Sequence, residues 1–214
     1  MDKLGNSNLA NIPLHRLGHS FYDRKDVTAI AKDLLGKVLV TTFNGIITSG
    51  RIVETEAYAG AGDKASHAYG NRRTARTEVM FGNPGTAYVY LCYGIHHLFN
   101  VVTNKKEIPH AILIRAVEPL LGIDQMLERT GKLKLDYTLT KGPGNVSRAL
   151  GIFTLHTGLS LLSDELYIAD DGFKLKADQV FVFPRIGVDY AQEDSLLPYR
   201  YVVKDNPYVS GKKK

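Results

Sequence analysis

The sequence predicts an α+β fold, a single domain built on a curved, mainly antiparallel β-sheet with flanking short helices. Two observations indicate this class: short apolar strand patterns follow one another through hairpin turns, and few segments show helical spacing. With 214 residues, 44% of them hydrophobic, the chain can bury one core, and no repeat or linker divides it. We expect the domain to cover residues 15–210, between a mobile N-terminal segment of residues 1–14 and a basic tail of residues 211–214.

The helices are predicted from apolar residues that recur every three or four positions. Asp26 is a preferred N-cap residue, the apolar residues behind it follow this spacing, and Gly36 ends the segment. Shorter helices are expected around residues 123–129 and 145–150. The second follows glycines in KGPGNVSRALG, which suit either an ordinary helix start or backbone contacts with a phosphate.

The strands are predicted from alternating apolar residues and from turn residues between them. Asn44 and Gly45 are typical of a two-residue hairpin turn, which joins strands over residues 37–43 and 46–56. Further strands are expected at residues 87–91, 98–103, 111–117, 165–169, 180–183 and 199–203.

Composition limits the class of function only weakly. The formal net charge is +5, but residues 212–214 supply three of these charges, so charge alone is weak evidence for a polyanionic partner. Cys92 is the single cysteine, which excludes an internal disulfide and a cysteine-based zinc site. The chain shows no cleavable apolar leader and no apolar run of transmembrane length, so we expect a soluble, intracellular protein without a membrane partner.

The most informative stretch is RIVETEAYAG. Glu54, Glu56 and Tyr58 alternate along a predicted strand and therefore share one face. The other face is expected to carry Val53, Thr55 and Ala57. A half-buried carboxylate is unfavourable unless it is paired, so two of them beside a phenol suggest a site that activates water or stabilises positive charge. An exposed strand face with two glutamates is the competing interpretation.

A basic segment follows this strand. In DKASHAYGNRRTART, His67 lies just behind a glycine-containing loop, and Arg72, Arg73 and Arg76 come next. Three arginines within five residues favour contacts with phosphates, and a solvated loop is the alternative.

The strand pattern TAYVYLCYGIHHLFNVV is rich in aromatic residues. Tyr88 and Tyr90 alternate onto one face, whereas Tyr93 precedes a glycine at an expected turn. Asn100 interrupts the apolar run that follows. Tyrosines near an imidazole and an arginine cluster suit a slot that stacks a flat ring beside a phosphate-binding surface, as an enzyme that draws a base out of a duplex requires. For Tyr88 we expect ordinary packing within the sheet.

Together these segments resemble the alkyladenine (3-methyladenine or methylpurine) DNA glycosylases. The resemblance rests on VETEAYAG, DKASHA, MFGNPGTAYVYLCYG with Asn100 after it, and ILIRAVEP around Arg115, and it runs in order from about Phe21 to residues 208–210. It implies a DNA repair enzyme that flips damaged purines, of the 3-methyladenine, 7-methylguanine and hypoxanthine type, out of double-stranded DNA. Hydrolysis of the N-glycosidic bond by an activated water would leave an abasic site and start base excision repair.

The resemblance also implies catalytic and pocket residues. Glu56 is expected to be the general base that activates water, with Arg115 orienting that water and Glu54 in a supporting structural role. Arg115 also fits a core ion pair, and the two roles are compatible. The pocket around the flipped base is expected to contain Tyr58, His67, Tyr90 and Asn100, the last of which would screen purines by their edge.

Contacts with DNA are expected from a second group of residues. By the resemblance, Tyr93 would wedge into the gap that the base leaves, and phosphates would be held by Arg72, Thr74 and Arg76. Ile95 and His96 flank the wedge at positions that vary in character, which leaves the range of lesions open. The partner is therefore damaged double-stranded DNA, bound by a monomer that is cytoplasmic or nucleoid-associated.

No cofactor or metal is expected. His96 and His97 are adjacent, so on a strand they point to opposite faces and cannot bind the same ion. His67 and Asp63 would pair as ligands only on a helix, which the neighbouring glycines oppose, and neither an HExxH motif nor a GxSxG elbow occurs. No lysine lies inside ETEAY or YVYLCYG to form a Schiff base, so the expected product is an intact abasic site.

Two other classes of function remain open from the sequence. A hydrolase of free nucleosides would use the same chemistry but would need neither an arginine cluster nor a wedge tyrosine. A non-catalytic protein that senses damaged DNA would need the binding surface without the general base.

Overall fold

The computed structural model describes residues 13–211, and within this range the protein forms one sheet of nine strands. They are β1 (His15–Arg16), β2 (Val38–Phe43), β3 (Ile46–Tyr58), β4 (Ala87–Cys92), β5 (His96–Thr103), β6 (His110–Leu121), β7 (Leu166–Asp170), β8 (Val180–Phe183) and β9 (Arg200–Val203). The order is β1-β7-β2-β3-β6-β5-β4, with β9 paired to β3 and β8 to β9, and each pairing is antiparallel. The predicted fold class is confirmed. The predicted mobile segment up to residue 12 and the lysines of the predicted tail lie outside the described residues.

Short helices flank the sheet: α1 (His19–Tyr22), which was not predicted, and the predicted α2 (Val27–Asp33), α3 (Ile123–Thr130) and α4 (Pro143–Leu150). Asp26 caps α2, because its carboxylate accepts hydrogen bonds from the N–H groups of Thr28 and Ala29. α4 starts directly after Gly142, and the Asn145 side chain donates to two carbonyl groups of the segment before the helix. These internal contacts support an ordinary helix start at KGPGNVSRALG.

Every strand expected from the sequence is present, with somewhat shifted ends. Asn44 and Gly45 have positive φ angles of 55° and 76°, as the hairpin turn between β2 and β3 requires. The sequence did not predict β1 and α1, because two strand residues or one helical turn are too short to show a period.

β3 organises the sheet. Its first half pairs with β2 and its second half with β9, while its other edge pairs with β6. The ladder with β6 shifts register twice around Glu54, which leaves Val53 and Arg115 as bulged residues. A bulge re-aims the side chains beside it, so the irregularity lies at the point where the candidate catalytic residues meet.

The bulge also overturns one prediction about β3. Ala57 joins the main core and Thr55 donates to a carbonyl of α2, as expected for the face away from the glutamates. Val53 instead packs with Ala116 and Val202 in a separate cluster. The prediction was wrong for Val53 because an extra residue interrupts the two-residue alternation of a strand.

The main core lies where the helices pack on the sheet. It is filled by fully buried apolar side chains, including Tyr22, Ile30, Leu34, Leu39, Phe99, Ile112, Ile114 and Met126. A smaller cluster that includes Met80, Phe81 and Tyr88 lies on the opposite face of β4 and β5. None of the described helices is long and apolar enough to cross a membrane.

Gly50 lets β3 and β6 approach closely, and this contact can be tested. A Cβ atom at Gly50 would lie 2.6 Å from Cγ2 of Val117, which is fully buried. We expect Gly50→Ala to lower the free energy of unfolding by about 1–3 kcal/mol, because overpacking forces neighbouring groups to move. Urea unfolding measures the change. Gly18→Ala is the control, since a Cβ there meets no atom of residues 13–211 within 4 Å. Equal stability of the two variants would contradict the close approach.

Candidate active site

A cavity of about 170 Å³ opens on the face of β4 and β5 that carries the smaller cluster. It is lined by Tyr58 at the end of β3, Arg115 of β6, Tyr90 of β4 and Asn100 of β5. Residues 65–67 line it too, as do Ile186, Gly187, Val188 and Tyr190 of the segment 184–190, which we call the strap. Small-molecule pockets usually have volumes of about 300–1,000 Å³, so this one suits a single ring system rather than a whole nucleotide.

Glu56 is fully buried and lies directly behind the cavity wall. Its Oε2 accepts hydrogen bonds from the Tyr58 hydroxyl at 2.9 Å and from Nη1 of Arg115 at 3.2 Å. Its Oε1 accepts from the backbone N–H of Ile186 at 2.7 Å. Each of these three donors belongs to a residue that lines the cavity.

Glu54 is equally buried, but its contacts lead away from the cavity. Its Oε1 accepts from Nε of Arg115 and from Nη1 of Arg200, both at 3.1 Å, and its Oε2 accepts from the N–H of Ser210 at 2.6 Å. Of these partners only Arg115 lines the cavity. The structure therefore distinguishes the two carboxylates, which the sequence placed together on one face.

Arg115 joins the two glutamates. Burial alone would disfavour its charge, but attraction from Glu56 and Glu54 outweighs that effect and holds the pKa of Arg115 above its usual value. Burial and the neighbouring Glu56 carboxylate also raise the pKa of Tyr58, so its phenol stays protonated and acts as a donor. The core ion pair and the position at the cavity, both considered for Arg115, are thus combined in one side chain.

His67, Tyr88 and Tyr90 form an aromatic group in the cavity wall. The His67 ring meets Tyr90 edge to face at 4.6 Å between centroids, and its Nδ1 is hydrogen-bonded to the Tyr88 hydroxyl at 2.8 Å. Burial, with added repulsion from Arg76 and Arg72, lowers the pKa of His67 to about 4. The imidazole is therefore neutral near pH 7.

Asn100 lies in the interior of β5 and is almost fully buried at the cavity wall. Its Nδ2 donates to the carbonyl groups of Tyr88 and Leu98, both at 3.2 Å. These bonds fix the amide against the wall, so it is a rigid part of the cavity surface.

Tyr93 is at the tip of the hairpin between β4 and β5, as the turn prediction required. It is 89% exposed, has a positive φ of 51°, and lines the mouth of the cavity. Ile95 in the same turn is 70% exposed. An exposed aromatic ring on a hairpin tip beside a ring-sized cavity suits the role of a wedge.

The basic residues divide into two groups. Arg72 and Arg76 are exposed and line a depression that adjoins the cavity through His67 and Tyr190. Arg73 is instead held in ion pairs with Glu78 and Glu107, at 2.7 and 2.6 Å.

Thr74, the fourth residue expected at phosphates, is exposed and partly engaged within its own turn. Its N–H donates to Oγ1 of Thr77, and the two hydroxyl groups are 3.1 Å apart. The structure thus places Thr74 between the exposed arginines on the same loop.

The comparisons with known proteins agree with this geometry. A family model described as methylpurine-DNA glycosylase (MPG) matches residues 20–207. The chain belongs to the methylpurine-DNA glycosylase family. Relatives named "Putative 3-methyladenine DNA glycosylase" include one from Clostridium perfringens, 44% identical over 92% of this chain and 100% of its own, and one from Bacillus cytotoxicus, 48% identical over 89% and 97%. A third, from Alkaliphilus oremlandii, is 45% identical over 92% and 100%.

Membership in this family makes the protein a monofunctional DNA glycosylase, a hydrolase of N-glycosyl bonds that acts in DNA repair. The nucleoside hydrolase and the non-catalytic sensor that the sequence left open are thereby set aside. No lysine is found among the described residues that line the cavity. Within residues 13–211, no three His, Cys, Asp or Glu side chains converge as metal ligands, and Asp63 is paired with Arg185.

Three parts of this glycosylase site were missed from the sequence. Tyr88 packs in the sheet as expected, but it also lines the cavity and contacts His67. The strap was not recognised, because PRIGVDY carries no periodic or catalytic motif. The ion pair of Arg185 with Asp63, both fully or nearly fully buried, joins the strap to the loop before His67 across more than 120 residues of chain. Of these three parts, only Tyr88 had a signal in the sequence: it alternates with Tyr90, so both side chains share the strand face that lines the cavity.

The neutral state of the glycosylase's His67 predicts a pH dependence of stability. Its folded pKa of about 4 lies below the ordinary 6.5, so between these values the unfolded chain binds a proton that the folded chain does not. His67 should therefore lower the free energy of unfolding as pH falls from 6.5 to 4, by up to about 1.4 kcal/mol per pH unit. Urea unfolding of wild type and His67→Gln at several pH values isolates this slope. Identical slopes in both proteins would refute the low pKa.

Proposed function

We propose that Glu56 is the general base with which this enzyme excises alkylated and deaminated purines. The proposal rests on one observation, that all three donors to Glu56 line the cavity. A carboxylate has about four acceptor positions. Among the described residues, Oε2 has two donors and Oε1 has one, so the remaining position belongs to Oε1. A water molecule bound there would meet the sugar of a base held in the cavity.

The reaction follows from the bond that breaks. The base leaves with the electron pair of the glycosidic bond, and positive charge develops on the sugar. Glu56 stabilises this charge and accepts a proton from the water whose oxygen bonds to the sugar carbon. Arg115, which is fixed against Glu56, orients that water, and the product is an abasic site.

Selectivity comes from the aromatic walls. Tyr58, His67 and Tyr90 enclose a flat ring, and an alkylated purine such as 3-methyladenine or 7-methylguanine carries positive charge that aromatic faces attract. A neutral imidazole at His67 does not repel such a ring. For hypoxanthine, which is neutral, hydrogen bonds in the cavity must assist departure of the base.

Asn100 screens the purine edge in this proposal. Guanine carries an exocyclic 2-amino group that adenine and hypoxanthine lack. Because the Asn100 amide is fixed by two backbone carbonyl groups, it cannot move aside for that group. Undamaged guanine is therefore disfavoured by this contact, whereas for 7-methylguanine the attraction of its positive charge to the aromatic walls offsets the same contact.

The DNA is held outside the cavity. Tyr93 fills the gap left when the base is flipped out of the duplex, and Arg72, Thr74 and Arg76 hold phosphates beside it. Residues 15–210 act as a single glycosylase domain. The enzyme works as a monomer in the cytoplasm or at the nucleoid, and starts base excision repair.

Replacing the general base tests the mechanism. Glu56→Gln keeps the shape of the side chain but cannot accept a proton, so single-turnover release of 3-methyladenine should fall by roughly a hundredfold or more. Binding of the damaged duplex should stay within about tenfold of wild type, because the Glu56 side chain is fully buried and is not expected to contact the DNA surface. Glu128→Gln, on the exposed side of α3, is the matched control. Release by Glu56→Gln near the wild-type rate would transfer the role to Glu54.

Replacing the wedge tests base flipping. Tyr93→Ala should weaken binding to a lesion-containing duplex by roughly tenfold, since stacking of a base on an aromatic ring contributes about 1–3 kcal/mol. Excision from a single strand, in which the base is already unstacked, should change much less. Titration and single-turnover excision on both substrates measure the difference. An equal loss on both would place Tyr93 in the pocket instead.

A further inference from the structure

Each nitrogen of the Arg115 guanidinium group has a different partner. Nη1 donates to Glu56, Nε donates to Glu54, and Nη2 donates to the Ser210 hydroxyl at 3.2 Å. The guanidinium group is planar and rigid, so fixing two of its nitrogens fixes the third. The contact with Glu56 therefore depends on two contacts that lie outside the cavity.

Ser210 uses all three of its polar groups in this arrangement. Its N–H donates to Oε2 of Glu54 at 2.6 Å, and its hydroxyl accepts from Arg115 at 3.2 Å. Its carbonyl group accepts from Nη1 of Arg200 at 3.3 Å. Ser210 thus closes a ring of hydrogen bonds with Glu54 and Arg115, and only Arg115 in that ring reaches the cavity.

The segment that carries Ser210 is anchored by packing. Tyr208 and Val209 are buried in the cluster that contains the bulged residue Val53. The Asn206 side chain accepts a hydrogen bond from the N–H of Tyr208 and donates one to Glu118 of β6. Residues 206–210 are therefore held against β3 and β6, which gives Ser210 a fixed position behind Arg115.

We propose that Ser210 is a positioning residue for base excision: its hydroxyl and N–H hold Arg115 and Glu54 so that Nη1 of Arg115 stays on Glu56. This inference rests on the role of Glu56 proposed above. Ser210 does not line the cavity, so its effect on the reaction passes through Arg115. Glu54 accepts from Nε of Arg115 while Ser210 accepts from Nη2, and we call this pair of contacts the clamp.

The first experiment separates rate from binding. Ser210→Ala removes the acceptor for Nη2, and we expect the single-turnover excision rate to fall roughly tenfold, with binding of the damaged duplex unchanged. Ser210→Thr, which keeps the hydroxyl, should restore the rate to within about threefold of wild type. Ser163→Ala is the matched control, since its hydroxyl is buried without a partner, and it should not change the rate. Melting temperatures measured on all variants confirm that they are folded.

A double variant tests whether Ser210 acts through Arg115. In an Arg115→Lys background the guanidinium fork is already lost, so adding Ser210→Ala should produce no further loss of rate. A further tenfold loss there would overturn the proposal, because it would show an effect independent of Arg115. A wild-type rate for Ser210→Ala, or a loss of binding instead of rate, would also overturn it. If Glu56→Gln retains activity, the proposed general base fails; if only the Ser210 variants behave as wild type, the clamp alone fails.

Discussion

Four buried charges at one point of the sheet determine both the fold and the site. Glu54, Glu56, Arg115 and Arg200 come from β3, β6 and β9, and their formal charges cancel. Removing any of these groups from water is unfavourable by several kcal/mol unless its partners stay in place. The three strands therefore have to meet in one register, and the register that satisfies the charges is the one that places a carboxylate behind the cavity.

Rigid and adaptable parts of the enzyme are separated. The carboxylates and Arg115 lie on long central strands, where a bulge in each of two paired strands aims them at the same point. Tyr93, the proposed wedge, and the exposed arginines lie on a hairpin tip and a loop, where the chain is less constrained than in the sheet. In the proposed function, chemistry that needs fixed distances is thus built on the sheet, and contacts with DNA are made around its rim.

Charged side chains are also divided between the rim of the cavity and the interior of the sheet. Outside the cavity, Arg72 and Arg76 are exposed, and their positive potential contributes to keeping His67 neutral. Inside, the positive charges of Arg115 and Arg200 are balanced by the two glutamates. This distribution of charge fits the proposed function, in which neutral aromatic walls accept a cationic purine and the surface beside them attracts phosphates.

The sequence by itself determined the longer strands and helices and most of the candidate site residues, because these follow from local patterns such as the Asn44–Gly45 turn and the alternation of Glu54 with Glu56. It also missed the strap and the contact of Tyr88 with His67, which depend on distant segments. Only the tertiary structure decided which glutamate is hydrogen-bonded to the residues that line the cavity. Both lie on one strand face, and they differ in the donors that reach them from elsewhere in the chain: an N–H of the strap for Glu56, and Ser210 for Glu54. Such contacts are set by packing across more than a hundred residues, which no local spacing records.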